Sequence, residues 1–386
     1  MIGITPVEHS DPTNARILAV SEDRLQGFHA DPFHEIARQS GLDLDTVLSR
    51  IRAMLEGGVI RRVRQTLNST KLAHGALCAW RVDPASLDRT FDFMFERDPF
   101  SGHVVTRSTD RDIAGADYRL WTTLKVPIGE SLERHARVLQ RLTGASDFVL
   151  LPAKGIFALG VGHVRRKTID PGDRATEPAR MIPTDPVPLS SLEWNVLLAL
   201  KDELNPQEIV ADPWRHRAAV AGVSREEFVR VCQALESKKL LGRFSTFLEH
   251  VKPSASGQRV TRFNGLFHWA VPKGMEVKAG GEVGRHTCMT HCYWREGGPR
   301  FGDVNIMGVI HGQEKDRVLA HKAAIDRHLV EEGIPILYTN VFWGGRSEIK
   351  PSEISPKVFC VWHEQMSGQA EASFGEGSKL ITGPLQ

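Results

Sequence analysis

The chain has 386 residues, of which 41% are hydrophobic and 25% charged, and its 49 Lys and Arg nearly balance 47 Asp and Glu for a net charge of +2. At roughly 150 residues per domain this length predicts two or three domains; the charge balance does not suggest a nucleic-acid partner, no run approaches the roughly 18 apolar residues of a membrane span, and the start lacks a secretion signal, so a cytoplasmic location is expected. Cys78, Cys232, Cys288, Cys292 and Cys360 are scattered and read as reduced thiols, whereas the 16 His residues direct attention to acid–base or metal chemistry.

In chain order, residues 1–24 read as an N-terminal extension and residues 25–70 as a winged helix. Phe33, Ile36 and Ala37 share one helical face, and Val47, Ile51 and Leu55 the next. Asp43 or Asp45 caps the second helix, Gly57-Gly58 stops it, and the Arg-rich run Val59 to Leu67 reads as a wing strand. Residues 71–166 carry a β-α-β-β-α-β pattern: Gly75 to Val82, Pro84 to Phe95, Val104 to Thr109, Tyr118 to Val126, Glu130 to Leu142, then Phe148 to Pro152 with Ile156 to Val164. Residues 167–190 hold Pro171, Pro178, Pro183, Pro186 and Pro188 without apolar periodicity, and read as a linker.

The second half repeats the plan. Residues 191–260 form a second winged helix, with Ser224 and Glu227 as a capping box. Residues 261–348 form a second ferredoxin-like domain, with strands Gly265 to Val271, Thr287 to Trp294, Val304 to Ile310 and Ile336 to Phe342, and a helix from Glu314 to Leu329. Residues 349–386 are a C-terminal extension, loose or a partner arm from Gly368 on. The fold class expected is α+β, a tandem duplication of winged helix-turn-helix plus ferredoxin-like domain. The two ferredoxin-like units are expected to pack together as an internal pseudo-dimer, with further homo-oligomerisation open.

A transcription factor is the obvious reading of the helix-turn-helix units, but the first recognition helix begins Asp43-Leu44-Asp45, acidic where it should approach phosphates. Arg61, Arg62 and Arg64 on the wing suit phosphate, a carboxylate ligand or plain solvation. The densest polar segment runs from Arg285 to Glu296, followed by Arg300. On a strand, His291, Tyr293 and Arg295 share one face, which combines a proton-transfer group, a phenol and a carboxylate clamp, while Cys292 and Trp294 share the other. His286, Cys288 and Cys292 do not have the spacing of a structural zinc site, and no metal site is expected. A single His ligand to a haem-type iron leaves no spacing signal. The matching place in the first half, His103 to Asp112 and Asp117 to Arg119, is Arg-rich but puts Thr106 or Arg107 where the second half has a His. His311 ends a strand and is either a cavity residue or a loop His; His74 and His268 are expected in core or edge positions, and His163 with Arg165-Arg166 in solvent.

Several segments together resemble the siroheme decarboxylase family, within the Lrp/AsnC-like superfamily. They are Gly58-Val59-Ile60-Arg61-Arg62, Tyr118 to Leu124, Leu151-Pro152-Ala153-Lys154 with Ile156-Phe157, Thr290 to Arg295, and Asn305-Ile306-Met307 through His311-Gly312. The resemblance implies a fused form of two subunit types that removes acetate carboxyl groups from siroheme, giving didecarboxysiroheme for an alternative haem or d-type haem pathway. It implies no cofactor beyond the iron tetrapyrrole substrate. It further implies His291 as proton donor assisted by Tyr293, and carboxylate binding by Arg107, Arg111, Arg119, Arg295 and Arg300, with His311, Arg61 and Arg62 as further substrate-binding residues. Family members commonly carry a His-Asn-Tyr-like motif where this chain has Thr106-Arg107-Ser108, which implies unequal halves and leaves one or two decarboxylations open. A transcriptional regulator and a non-catalytic tetrapyrrole carrier are the competing readings.

Overall fold

The computed structural model describes residues 5–68, 71–159, 169–184, 187–249 and 261–375; His163, Arg165 and Arg166 lie outside the described residues. The first helical unit comprises α1 (Pro12–Ser21), α2 (Pro32–Ser40) and α3 (Leu44–Glu56), followed by β1 (Ile60–Leu67). Then come β2 (Ala73–Arg81), α4 (Leu87–Glu96), β3 (Ser101–Ser108), β4 (Leu120–Pro127), α5 (Leu132–Thr143) and β5 (Asp147–Leu159). The second half runs α6 (Ser191–Lys201), α7 (Trp214–Ala221), α8 (Arg225–Ser237), β6 (Leu241–Leu248), β7 (Phe263–Ala270), α9 (Glu276–Gly284), β8 (His291–Arg295), β9 (Ile306–Gly312), α10 (Lys315–Glu331) and β10 (Tyr338–Ile349), and α11 (Pro356–Gly375) follows.

The helix ends are set by local chemistry. Asp43 accepts from Thr46 N to start α3, Ser224 accepts from Glu227 N to start α8, and Gly41 takes the left-handed conformation that ends α2. The two wing strands, β1 and β6, pair antiparallel with each other. One core therefore serves both helical units, with Phe33, Ile51 and Val63 packed among Leu197, Trp214, Phe228 and Phe244.

The remaining strands close into one eight-stranded barrel in the order β10-β3-β4-β2-β5-β8-β9-β7. Two four-stranded sheets meet edge to edge at β5–β8 and β10–β3, which removes every free edge. Outside the first sheet, Phe91, Val138 and Leu139 of α4 and α5 cover Val104, Leu120 and Leu124; outside the second, Ala279, Ile325 and Leu329 of α9 and α10 cover Trp269, Cys292 and Ile306. Inside, one end is filled by Tyr118, Trp121, Leu151, Phe301 and Phe342.

Several expectations need correction. Residues 12–21 are not an extension: Asp11 and Pro12 start α1, and Ile17, Leu18 and Val20 enter the helical core. In the C-terminal extension, α11 runs through Gly368 to Gly375, so the start of the tail expected to be loose is helical, while residues 376–386 lie outside the described residues. Phe359 and Trp362 of α11 pack on Phe100, with ring centroids 5.1 and 6.0 Å away, and the Trp362 indole donates to Arg97 O at 2.9 Å. The two strands expected from Phe148 to Val164 are, as far as they are described, one strand to Leu159 with register shifts, residues 160–164 lying outside the described residues, and β8 starts only at His291 because Thr287 to Thr290 turn instead.

Helix α9 was hidden by Gly280, Gly281 and Gly284, each poor in a helix by about 1 kcal/mol. Their use is close packing: a Cβ on Gly280 would stand 2.1 Å from Phe157 Cε2, and one on Gly281 3.1 Å from Ala179 O. The linker is pinned across this helix, with Ala179 N donating to Gly281 O at 3.0 Å and Thr287 N to Asp173 O at 3.0 Å. Among the described residues, no helix is long and apolar enough to cross a membrane.

Candidate active site

Strand alternation decides which side chains enter the barrel. Cys292 faces α9, its thiol 3.7 Å from Gly280 O, so His291, Tyr293 and Arg295 point inward. On β9, Ile306 and Ile310 pack outward, and Met307, Val309 and His311 alternate with them. On β3, Val104 packs outward, and Val105 and Arg107 inward. On β7, Phe267 and Trp269 face outward, and Leu266 and His268 inward.

Thr290 links two of these histidines. Its hydroxyl donates to Val309 O at 2.8 Å and lies 3.2 Å from His291 Nδ1 and 3.3 Å from His311 Nδ1. With its one proton on the carbonyl, the oxygen can only accept from both rings, which fixes both as Nδ1–H. The His291 and Tyr293 rings are nearly parallel, with centroids 6.2 Å apart, and the Arg295 guanidinium lies 4.5 Å from the Tyr293 centroid. Arg295 also donates to Leu151 O. Burial pushes the Tyr293 phenol up and Arg295 down from their ordinary values.

Arg107 is 6% exposed, and its Nε and Nη1 have no partner. Burial pulls it down to about 9, and among the described residues no carboxylate offsets this. His268 is fully buried with neither ring nitrogen paired; burial first, and the Arg107 charge second, push it down to about 3.

The strand ends beneath β1 are also cationic. A cavity of about 150 Å3 is lined by Arg64, His103, Thr123, Lys125, Lys201 and Lys350 among others. Burial, then Arg64, lowers Lys125 to about 8, and burial lowers Arg64 to about 10. Sequence reading missed Lys125, Lys201 and Lys350, and placed His268 only in a core or edge position, which its full burial in the barrel bears out. For Lys125 the available signal was its two-residue spacing from Trp121 and Thr123 on β4, which places all three on the inner face.

Other candidates are not gathered into the barrel. Arg62 is buried against Glu203, just after α6, at 3.2 Å and over Phe247 of β6 at 5.1 Å, so these contacts use its charge. Arg61, half-buried beside Glu249 and Glu203, is lowered to about 10 by burial. Arg111 is exposed in the loop after β3. Arg119 is exposed and lines a surface cavity of about 590 Å3 with Arg81 and Asp117, at the strand ends opposite Lys125. Arg300 is exposed and held by Asp147 at 2.6 Å. The side chains of Arg119 and Arg300 stand at the end that Tyr118 and Phe301 plug, which keeps them from the interior. Trp294 stays on the outer face with Cys292, and His74 is exposed on β2.

The helical units do not present a DNA-reading surface in the usual way. Each wing is covered by the other, Arg50 of α3 binds Asp11, Arg52 binds the carbonyls of Pro206 and Ile209, and Arg225 of α8 binds Asp31 and Asp212. Barrel and buried cations together define a ligand-binding protein of the AsnC-like class. The AsnC-like ligand binding domain pattern matches residues 72–157 and 261–342, and the siroheme decarboxylase NirDL-like HTH pattern matches residues 28–61.

Named relatives agree. A siroheme decarboxylase of Hydrogenobacter thermophilus is 24% identical over 78% of this chain and 84% of its own. The siroheme decarboxylase alpha subunit of Desulfovibrio desulfuricans is 32% identical over 34% of this chain and 70% of its own. The solved siroheme decarboxylase NirDL superposes with a TM-score of 0.63 at 20% identity, covering 92% of this chain and 99% of that one, and has also been solved with an iron-uroporphyrin III analogue. The chain belongs to the siroheme decarboxylase family.

Proposed function

We propose that the protein removes acetate carboxyl groups from siroheme, giving didecarboxysiroheme, with no cofactor beyond the iron tetrapyrrole substrate. Arg107 carries this reading. A guanidinium buried without a counter-charge costs several kcal/mol, and a carboxylate-bearing ligand supplies the missing partner. Arg295 and the Lys125–Arg64 cavity extend the same demand across the barrel interior and mouth. We read the chain as the fused form of two subunits whose sheets close one barrel, a tandem duplication acting as its own dimer.

The chemistry follows from the side chains. The C–C bond to the carboxylate breaks, CO₂ leaves, and the electron pair passes into the conjugated macrocycle at the methylene. A proton delivered there completes the methyl group. His291 is assigned this step, since Arg stays protonated and cannot donate at useful rates. Thr290 holds Nδ1–H of His291, so the imidazolium proton on Nε2 is the one given up, and the neutral ring left behind keeps its hydrogen bond. Tyr293, beside His291 and under Arg295, orients the carboxylate end.

A regulator reading is disfavoured by the mutual pairing of β1 and β6. Carbon dioxide released into the headspace from anaerobic protein and siroheme tests the proposal. Stoichiometric release is expected; binding without release would leave only a carrier.

A further inference from the structure

Outside the barrel, the seam between α9 and α10 holds a polar cluster that the proposed reaction does not use. Glu282 of α9, His328 of α10 and Glu332 just beyond it place one ligand atom each within 4.8 Å of one another. Glu282 and His328 are buried, and Glu332 is exposed, which gives an ion a route in. His286, shortly after α9, adds a second imidazole whose centroid is 5.2 Å from that of His328. It is 1% exposed, and neither of its nitrogens has a hydrogen-bond partner. Buried polar groups rarely stay unpaired, so this ring calls for a partner.

We propose that Glu282, His286, His328 and Glu332 form a site for one divalent transition-metal cation of the zinc type. Two imidazoles with two carboxylates suit zinc and its neighbours, whereas magnesium and calcium take oxygen ligands. His328 Nε2 and Glu282 Oε2 share a proton at 2.7 Å, and a cation takes the place of that proton. Arg285 Nε stands 3.2 Å from the same Oε2 as an ion pair without hydrogen-bond geometry. Arg285 and Arg174 also oppose a cation, and weaken the site relative to one without them.

The role is structural. The cation joins α9 to α10 under the segment that crosses them, where Ala175 N donates to Arg285 O at 2.9 Å and Arg174 bridges His286. None of the four ligands lies on a barrel strand, so the site is independent of the decarboxylation reading.

The test uses the full chain without a histidine tag, stripped with chelator and titrated with Zn²⁺ by calorimetry and with Co²⁺ by visible absorption. One equivalent is expected, with tetrahedral cobalt bands and a raised melting temperature. Glu332→Gln, at an exposed position that leaves the fold intact, should weaken binding about tenfold or more, and His286→Ala should do the same. His291→Ala, inside the barrel, should bind zinc as the unaltered protein does. Absence of zinc binding by folded protein at tens of micromolar overturns the proposal, as does binding that Glu332→Gln leaves unchanged. The exposed variant decides the matter if His286→Ala fails to fold.

Discussion

Arg107 of β3 and His268 of β7 face each other's field inside the barrel. Burial and then the Arg107 charge hold the His268 ring neutral, and the polar atoms left unpaired include both His268 nitrogens and Arg107 Nε and Nη1. Two facing polar groups with no partners are costly in a packed interior. They make sense where a carboxylate is to be received, and they set function against stability.

Arg107→Leu should therefore act in opposite directions. Removing the unpaired cation should raise the melting temperature of the ligand-free protein. Siroheme affinity should fall by about tenfold to a hundredfold, the loss of one charge-assisted hydrogen bond. Thermal melts and a Soret-band titration check both halves. A destabilised variant with unchanged affinity would place Arg107 in the packing alone.

His291→Gln should lower turnover by at least about a hundredfold while siroheme still binds. Thr290→Val should lower turnover more mildly, because it frees the ring tautomers of His291 and His311 without removing either ring. Its turnover-against-pH profile should shift, a change that a loss of packing does not produce. Single-turnover kinetics beside binding titrations separate the two effects.

Acid should destabilise the protein early. His268 is lowered from 6.5 to about 3, and His363 from 6.5 to about 4, in both cases chiefly by burial. A lowered folded value means that the unfolded chain takes up the proton first. The stability is fully present above about pH 6.5 and is lost as pH falls toward 4 and below. His363 sits on α11 and shares a 2.9 Å hydrogen bond with His135, which is 3.2 Å from Asp98. Its protonation should loosen α11 ahead of the barrel. Hydrogen exchange at pH 7 and pH 5 should show α11 losing protection first, and His363→Phe should reduce the difference.

Phe301 closes one end of the barrel, with ring centroids 5.1 Å from Tyr118 and 5.4 Å from Trp121. Phe301→Ala should cost about 3–5 kcal/mol, measured by denaturant unfolding.

The sequence carried the element plan because apolar periodicity and caps act locally: Val47 and Ile51 at helical spacing, Ser224 as the N-cap of α8, and the alternation that turned His291, Tyr293 and Arg295 to one face all hold in the structure, whereas of the expected capping box only the Ser224 half forms, Glu227 pairing with Arg230 instead. What it hid was set by long-range contact. Three glycines concealed α9 because their value lies in the approach of Phe157 and Ala179 from elsewhere in the chain. The cationic lining was misjudged for the same reason. Arg119 and Arg300 belong to the plugged end, while Lys125 and His268 enter the interior only once β4 and β7 join one closed barrel. The wing arginines looked available because no local pattern announces that β1 pairs with β6.

The mass of the pigment recovered after anaerobic incubation with siroheme is the most direct test of the central claim. The account predicts that siroheme loses acetate carboxyl groups as CO₂ and is recovered as the didecarboxylated pigment, with His291→Gln returning it unchanged. Siroheme that binds the unaltered protein and is recovered at its original mass would contradict it.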